Sequence, residues 1–500
     1  VLVVLAIIHL ALFSVAFTVN VPVADGAWYY VPLPSLWYDH DLYLDNNIED
    51  LRALLPPGAP FVHPRYNQFV TPTGHVADWF SIGPALTWAV PFTIVAAILG
   101  PGGKEGASPV LFATVGLTTA VTFLFGLFLC TFWLARRSSI LIAGMATAIT
   151  WVLSPLLKFA YPEPYFAHIV SSTFVLAFII AWEKTRQHTQ WWRYLLMGLL
   201  GGLMMDMRWQ NALLLVLPVL SEGQRILALI RSHDWSDLRR WTAHIALATL
   251  AAIAGFAPQM VTWWVIFGTP LTLPQGEGFM HWAKPEIIST WFASYYNGLF
   301  IWEPVAALGL IGLATLWRRD PLLVAGAFLV FLLQTYVNAS AGDWFGGGGF
   351  GPRRFDSLIP LFSLGLVMLL VRARKLVRLA IAIASIGWLW IHWVLMTYIS
   401  VYRSDWLPGD AMQAAREPLG VWFINMLDMG KRIVVYSVSI WKDPALAFNS
   451  GSFFSILVGK SPGSLLWAST LLAIAAVTSA ILVSIAFGWT VHRARIAGTD

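Results

Sequence analysis

An acidic cluster shortly after the apolar N-terminal segment holds the residues with the clearest potential for chemistry. Asp39 and Asp41 flank His40, and Asp45 follows a few positions later. A carboxylate placed this way can act as a general base that removes the proton of an acceptor hydroxyl group. Two neighbouring carboxylates could also hold a divalent cation through their oxygen atoms. The alternative interpretation is a solvated acidic loop with no chemical role.

A second candidate segment lies between two apolar stretches further along the chain. Glu163 stands between Pro162 and Pro164, and His168 follows at the start of the next apolar stretch. The prolines stiffen the backbone around the carboxylate, so Glu163 could bind an acceptor or support the acidic cluster. The alternatives are that the prolines only terminate two helices and that His168 is a hydrogen-bonded residue at a helix end.

Three arginines are candidates for binding an anion. Arg208 follows Asp206 in the middle of a long apolar segment, where a charge is costly unless it pairs or reaches an anion. Arg353 and Arg354 follow a glycine run, and glycines let the backbone approach a ligand closely. The planar guanidinium suits a phosphate group. Pairing of Arg208 with Asp206, and contact of the other two with lipid head groups, are the alternatives.

Two weaker candidates lie in the segment 275–282. Glu277 and His281 alternate there with glycines and aromatic residues. Such a composition is typical of a loop that closes over a substrate. We therefore include both residues as candidates for substrate binding.

The composition places all these residues in a membrane protein. Hydrophobic residues make up 58% of the 500 and charged residues 11%, with a mean hydropathy of +0.68. A soluble domain carries about 25% charged residues. The single cysteine, Cys130, excludes a disulfide framework and a cysteine-based metal site.

Apolar segments near the 20 or so residues that a span requires recur along the chain and predict about twelve transmembrane helices. The segment 194–220 is too long for one straight span, so we predict two short helices that meet at Asp206 and Arg208. Segment 1–19 lacks a basic n-region, which predicts a retained span. The other predicted spans are 109–135, 140–157, 166–182, 243–267, 299–317, 321–337, 357–371, 379–400 and 465–489.

The positions of the basic residues predict the orientation. More than half of the 31 lysines and arginines fall in short loops that this arrangement places on one side, which the positive-inside rule makes the inner side. Counting 82–99 as a span would invert every later loop, so we predict an interfacial or re-entrant helix there. The large outer pieces are a first loop over 20–108 and a small subdomain over 401–464. Residues 465–500 form the last span and an inner tail, after a transmembrane module over 1–400.

The first 400 residues resemble the polytopic GT-C glycosyltransferases, the superfamily of protein mannosyltransferases, aminoarabinose transferases and oligosaccharyltransferases. The pattern departs from that superfamily where His40 separates the two loop aspartates. The resemblance rests on the acidic first loop (Asp39, Asp41), Ser81-Ile82-Gly83-Pro84, the second loop with Glu163, the tip Met207-Arg208-Trp209-Gln210-Asn211, and Gly351-Pro352-Arg353-Arg354.

This resemblance implies a GT-C fold and an inverting transfer of a sugar from a polyprenyl-phosphate donor to a hydroxyl of a glycan, lipid or protein acceptor. It further implies Asp41 or Asp39 as the base and Arg208, Arg353 and Arg354 as phosphate ligands. Membrane lipids, and no nucleic acid, are the other expected partners. The expected location is a bacterial inner membrane, with the active site facing the periplasm.

Two other functions are compatible with the sequence. A flippase or transporter for a lipid-linked sugar would share the phosphate-binding arginines but would not need the acidic loop. A catalytically silent membrane subunit of a larger complex would keep the fold after its chemistry lapsed.

Overall fold

The computed structural model describes residues 1–56, 70–100, 106–293, 297–347, 349–401 and 419–442. Within these ranges the regular structure is helical, apart from two isolated antiparallel bridges. The predicted all-α class is therefore confirmed.

The first half of the chain contains one apolar helix, a first loop with several short helices, and then longer helices. These elements are α1 (Leu2–Ala16), α2 (Asp25–Tyr30), α3 (Pro32–Pro34), a π-helix (Ser35–Asp39), α4 (Asp45–Ala53), α5 (Gly83–Leu99), α6 (Pro109–Ala135), α7 (Ile140–Val152), α8 (Leu156–Ala160), α9 (His168–Thr185) and α10 (Trp191–Met207).

The second half continues with long helices that two 3-10 segments interrupt. These elements are a 3-10 helix (Trp209–Leu215), α11 (Val216–Arg231), α12 (Trp235–Phe267), α13 (Ile287–Phe292), α14 (Leu299–Trp302), α15 (Pro304–Ala314), α16 (Pro321–Ser340), a second 3-10 helix (Arg353–Leu358), α17 (Ile359–Arg372), α18 (Lys375–Val401) and α19 (Leu419–Lys442).

The described part of the chain has the helices of a polytopic membrane protein. Six of its helical segments are long and apolar enough to cross a membrane, and four shorter helices are also apolar. The six are Pro109–Ala135, Trp209–Arg231, Trp235–Phe267, Pro321–Ser340, Arg353–Arg372 and Lys375–Tyr398, and the shorter four are Leu2–Ala16, Gly83–Leu99, Ile140–Val152 and Pro304–Ala314.

Two predicted spans are broken in the structure. The segment 140–157 divides into α7 and α8 near Pro155, and the segment 299–317 divides into α14 and α15 at Glu303, directly before Pro304. Proline lacks a backbone N–H and disfavours the helical conformation of the residue before it, which explains both breaks. The predicted span 465–489 lies outside the described residues, as does most of 401–464, so the total of twelve spans stays a prediction.

Charged residues gather at one end of the helix bundle. Arg186 forms a two-point ion pair with Asp320, at 3.0 and 2.5 Å, where α9 ends and α16 begins. Arg193 at the start of α10 pairs with Glu222 of α11 at 2.6 Å. Arg137, which follows α6, pairs with Glu183. These pairs join loops that the charge pattern places on one side.

The opposite end of the same helices carries the candidate site. The 18 residues of α9 run from His168 to Thr185, beside the charged end. At 1.5 Å per residue this helix is about 27 Å long, close to the thickness of the hydrocarbon core. The apolar bundle therefore separates two polar ends by about the width of a membrane.

The hairpin that carries Arg208 packs tightly against α12. A Cβ atom added at Gly202 of α10 would overlap the backbone oxygen of Ala252, and one added at Gly198 would overlap that of Ala248. Small residues let helix backbones approach closely, a common form of packing inside membranes. These glycines fix α10 against α12 and so fix the position of Arg208 at the end of α10.

Gly202→Ala should lower the stability of the protein by about 2 kcal/mol, because the new methyl group forces two backbones apart. Gly223→Ala in α11 is the matched control, since nothing lies within 4 Å of its added Cβ. Thermal unfolding in detergent measures both. Equal melting temperatures for the two variants would show that this close packing does not limit stability.

Candidate functional site

A polar pocket lies where several distant segments meet at the end of the bundle opposite the charged loops. Three arginines and two aspartates line it, together with amides and aromatic rings. The lining residues are Asp25, Tyr29, Trp79, Phe80, Ser81, His168, Arg208, Trp209, Gln210, Gln275, Phe279, Met280, Val337, Asn338, Ala341, Asp343, Arg353 and Arg354.

Arg353 joins the first loop to the glycine-rich loop. Its Nη1 lies 2.7 Å from Oδ2 of Asp25, and its Nη2 donates a hydrogen bond of 3.0 Å to the carbonyl of Gly346. A Cβ at Gly349 would lie only 2.5 Å from Nε of Arg353, and Gly346 has φ of +77°. The glycines are therefore needed for both the turn and the close approach of the loop to the guanidinium.

Arg354 forms a second ion pair in the same pocket. Its Nη2 lies 2.5 Å from Oδ1 of Asp343. Burial alone would raise the pKa of Asp343, but the charge of Arg354 and its hydrogen bond hold that pKa below the ordinary value. Asp343 is therefore ionised at neutral pH, and its charge offsets that of Arg354.

Arg208 enters the pocket from the break between α10 and the 3-10 helix that follows it. The residue has an extended backbone, with φ of −155° and ψ of 117°, which ends α10 and turns the side chain towards its neighbours. Its Nη1 lies 3.3 Å from Nδ1 of His168 and 3.4 Å from the carbonyl oxygen of Arg353. Asp206 instead accepts a hydrogen bond from the backbone N–H of Gln259 at 3.0 Å.

His168 is buried and connects two charged residues. Its Nδ1 lies 2.9 Å from Oδ2 of the buried Asp356, while its ring stacks on Phe159 with a centroid distance of 4.1 Å. The same nitrogen faces Arg208. The structure thus brings together four residues that the sequence singled out: His168, Arg208, Arg353 and Arg354.

Asp25 and Tyr29 were missed in the sequence and lie in this pocket. Both belong to α2, one turn apart, and Gly26 between them packs against the ring of Phe166. Burial raises the pKa of Tyr29 above its usual range, so its hydroxyl group stays protonated at neutral pH. An isolated acid directly after the first apolar helix was the only available signal, and the denser cluster at 39–45 obscured it.

Asp39 and Asp41 do not line the pocket. Oδ2 of Asp39 accepts hydrogen bonds from Asn46 and Asn47 at 3.0 and 2.9 Å. Oδ1 of Asp41 accepts hydrogen bonds from Oγ of Ser35 and from the backbone N–H of Tyr43. His40 adopts the left-handed conformation between them, with φ of 59°. These hydrogen bonds stabilise the loop itself, and Asp39 and Asp41 are not among the residues that line the pocket with the arginines.

The remaining sequence candidates also lie away from the pocket lining. Glu163 pairs with the buried Lys158 at 3.1 Å. Glu277 and His281 are exposed. Their loop nevertheless covers the pocket, because Gln275, Phe279 and Met280 line it and Met280 forms an antiparallel bridge with Ala341.

Metal ligands are not grouped in the described part of the chain. No set of three or more histidine, cysteine, aspartate or glutamate residues there could hold an ion. One carboxylate oxygen of Asp39 and one of Asp41, the residues that the sequence suggested as cation ligands, accept hydrogen bonds from protein groups.

Asp78 precedes the pocket residues Trp79, Phe80 and Ser81 and is buried. Burial raises its pKa from 3.8 to about 8, although the backbone N–H of Phe80 donates to its Oδ1 at 2.8 Å and opposes the shift. The folded protein therefore holds this proton more tightly than the unfolded chain. The associated stability is complete below about pH 4 and is lost as the pH rises towards 8.

Asp78→Asn should reduce the fall in melting temperature between about pH 5 and about pH 8.5, because the amide stays neutral and still accepts the bond from Phe80. Thermal unfolding of both proteins in detergent measures this difference. An unchanged pH dependence in the variant would show that Asp78 does not carry a buried proton.

Comparison with known proteins finds similarity to solved structures only. No family model matches the chain, and no curated protein matches it. Solved structures that match include the crystal structure of ArnT from Cupriavidus metallidurans bound to undecaprenyl phosphate. The two chains are 12% identical, the match covers 94% of this chain and 86% of that one, and the TM-score is 0.45.

Proposed function

We propose that this chain is an integral membrane glycosyltransferase of the GT-C type, which transfers a sugar from a polyprenyl-phosphate donor to an acceptor hydroxyl group. The observation that carries the proposal is the convergence of Arg208, Arg353 and Arg354 with Asp25 in one pocket at the end of an apolar helix bundle. Such a pocket can bind an anionic head group while the lipid tail stays among the helices.

The charge of the pocket fits a phosphate that gains charge during the reaction. Three arginines face two aspartates among its lining residues, so the pocket has a net positive charge. A phosphodiester carries one negative charge, and the polyprenyl phosphate that leaves carries more. Arginines already held in place by Asp25 and Asp343 stabilise that developing charge with little reorganisation.

We assign the role of base to Asp25, one of the two carboxylates that line the pocket. Arg354 holds the pKa of the other, Asp343, below its ordinary value, which makes Asp343 the weaker base. In the proposed step the acceptor oxygen forms a bond to the anomeric carbon of the sugar, while the bond from that carbon to the phosphate oxygen breaks. The hydroxyl proton passes to Asp25, and the electron pair of the broken bond stays on the phosphate.

The pocket is proposed to face the outside of a bacterial inner membrane. The ion-paired arginines at the other end of α9 lie in short basic loops, which are typical of the inner side. The acceptor, whether a glycan, a lipid or a protein, would then be bound on the outer side.

Asp25→Asn should lower the transfer rate about 10²- to 10⁴-fold, because the amide cannot accept the proton although its oxygen can still accept a hydrogen bond from Arg353. Radiolabelled polyprenyl-phosphate sugars supplied with membrane acceptors in detergent measure the rate. Asp39→Asn and Asp41→Asn are the matched controls in the same loop and should retain most activity. Loss of transfer in Asp41→Asn with normal transfer in Asp25→Asn would return the role of base to the acidic cluster.

Thiol labelling in intact cells tests the orientation. In a Cys130→Ala background, Glu277→Cys should react with a membrane-impermeant reagent added outside, because the loop that holds it covers the pocket. Gln187→Cys, in the exposed turn between α9 and α10, should react only after the membrane is opened. The reverse pattern would place the pocket on the inner side.

A further inference from the structure

Three uncharged amides from separate segments line the pocket beside the arginines. Gln210 follows Arg208, Gln275 lies in the covering loop, and Asn338 lies near the end of α16. In the described ranges, each has a buried polar atom without a hydrogen-bond partner: Nε2 of Gln210, Oε1 of Gln275 and Nδ2 of Asn338. A buried polar atom that lacks a partner is costly, and a ligand in the pocket that these three residues line could supply the missing partners.

The orientation of the Asn338 amide follows from its neighbours. The carbonyl oxygen of Arg354 can only accept, so Gln334 turns its Nε2 towards it at 3.2 Å. The same Nε2 donates to Oδ1 of Asn338 at 2.9 Å, one turn along α16. Asn338 is 2% exposed, and its Oδ1 atom already accepts the hydrogen bond from Gln334. Its NH₂ group is therefore the part left for a ligand.

The three atoms differ in what they require. Nε2 of Gln210 and Nδ2 of Asn338 are donors, whereas Oε1 of Gln275 is an acceptor. Phosphate oxygens satisfy donors only, so they could meet Gln275 only if its amide turned over to present its NH₂ group. A hydroxyl group both donates and accepts, so a ligand with several hydroxyl groups satisfies all three amides.

The charge of the pocket and its aromatic rings further restrict the class of ligand that fits there. Both carboxylates in the pocket lining, Asp25 and Asp343, already pair with arginines. The bound phosphodiester cancels the remaining positive charge of the pocket, so a sugar with an ammonium group would find no unpaired carboxylate in the lining to balance its charge. Trp79 and Phe279, with ring centroids 6.2 Å apart, offer apolar surfaces beside the amides.

We infer that Gln210, Gln275 and Asn338 form a subsite that binds the hydroxyl groups of an uncharged sugar, and so determine which donor is used. The inference rests on the proposed function, because the arginines must hold the phosphate next to this subsite. It names the substrate class as a polyprenyl-phosphate-linked neutral sugar, as opposed to an amino sugar.

Binding measurements on the purified full chain in detergent distinguish recognition of the phosphate from recognition of the sugar. Two lipids are compared: polyprenyl phosphate alone, and the same lipid carrying a neutral hexose. Asn338→Leu, Gln210→Met and Gln275→Met each remove an amide while keeping much of the volume. Each should weaken binding of the hexose-bearing lipid about fivefold to tenfold, the effect of one lost hydrogen bond, and leave binding of the bare lipid unchanged. Gln187→Met, on the exposed turn after α9, is the matched control.

Each other result has a distinct meaning. Equal affinity of wild type for the two lipids, or variants that weaken both alike, would overturn the subsite and leave phosphate binding intact. Tighter binding of a lipid whose sugar carries an amine would overturn the assignment of an uncharged sugar. Failure of wild type to bind either lipid would overturn the proposed function together with the subsite. Because Asn338 is buried, the melting temperature of Asn338→Leu is measured together with its binding. If that variant does not fold, Gln210→Met and Gln275→Met provide the test.

Discussion

The ion pair between Arg353 and Asp25 holds the site together. It joins a short helix of the first loop to a 3-10 helix more than 300 positions later in the chain. The two side chains retain 13% and 16% exposure, and their pairing offsets part of the cost of placing each charge at the end of an apolar bundle. The second guanidinium nitrogen donates to Gly346 and fixes the glycine-rich loop, and the carbonyl of Arg353 lies beside Arg208. The pocket shape follows from these few polar contacts.

The helices hold the pocket residues in position and set their distance from the charged loops at the other end of the bundle. Glycine packing between α10 and α12 sets where the chain breaks at Arg208. The lengths of α9 and α16 place His168 and Asn338 about a membrane thickness from the ion pairs at Arg186 and Asp320. Charged residues therefore occupy both ends of a bundle whose middle is apolar. In the proposed function, this division places the polar head group of the donor in the pocket and its apolar tail beside the helices.

Much of the fold could be predicted from hydropathy, whereas only part of the site could be. The bounds of α6 follow from the length of its apolar segment. The break near Arg208 follows from a charged residue in the middle of another apolar segment. The arginines were recognisable because a charged guanidinium group is rare in or beside a long apolar segment. Asp25 is a single acid in a short helix, while the cluster at Asp39 and Asp41 drew the base assignment although its hydrogen bonds are local. No sequence pattern marks Gln210, Gln275 and Asn338, since only the tertiary structure shows that each has a buried polar atom without a partner.

The proposed function requires that the three arginines bind a lipid-linked phosphate. Native mass spectrometry of the protein released gently from its membrane detects such a lipid. We expect wild type to retain a polyprenyl phosphate species, and Arg208→Gln and Arg353→Gln to lose it while remaining folded. Retention of the same lipid by both variants, or its absence from wild type after addition of pure polyprenyl phosphate, would show that the arginines do not bind it.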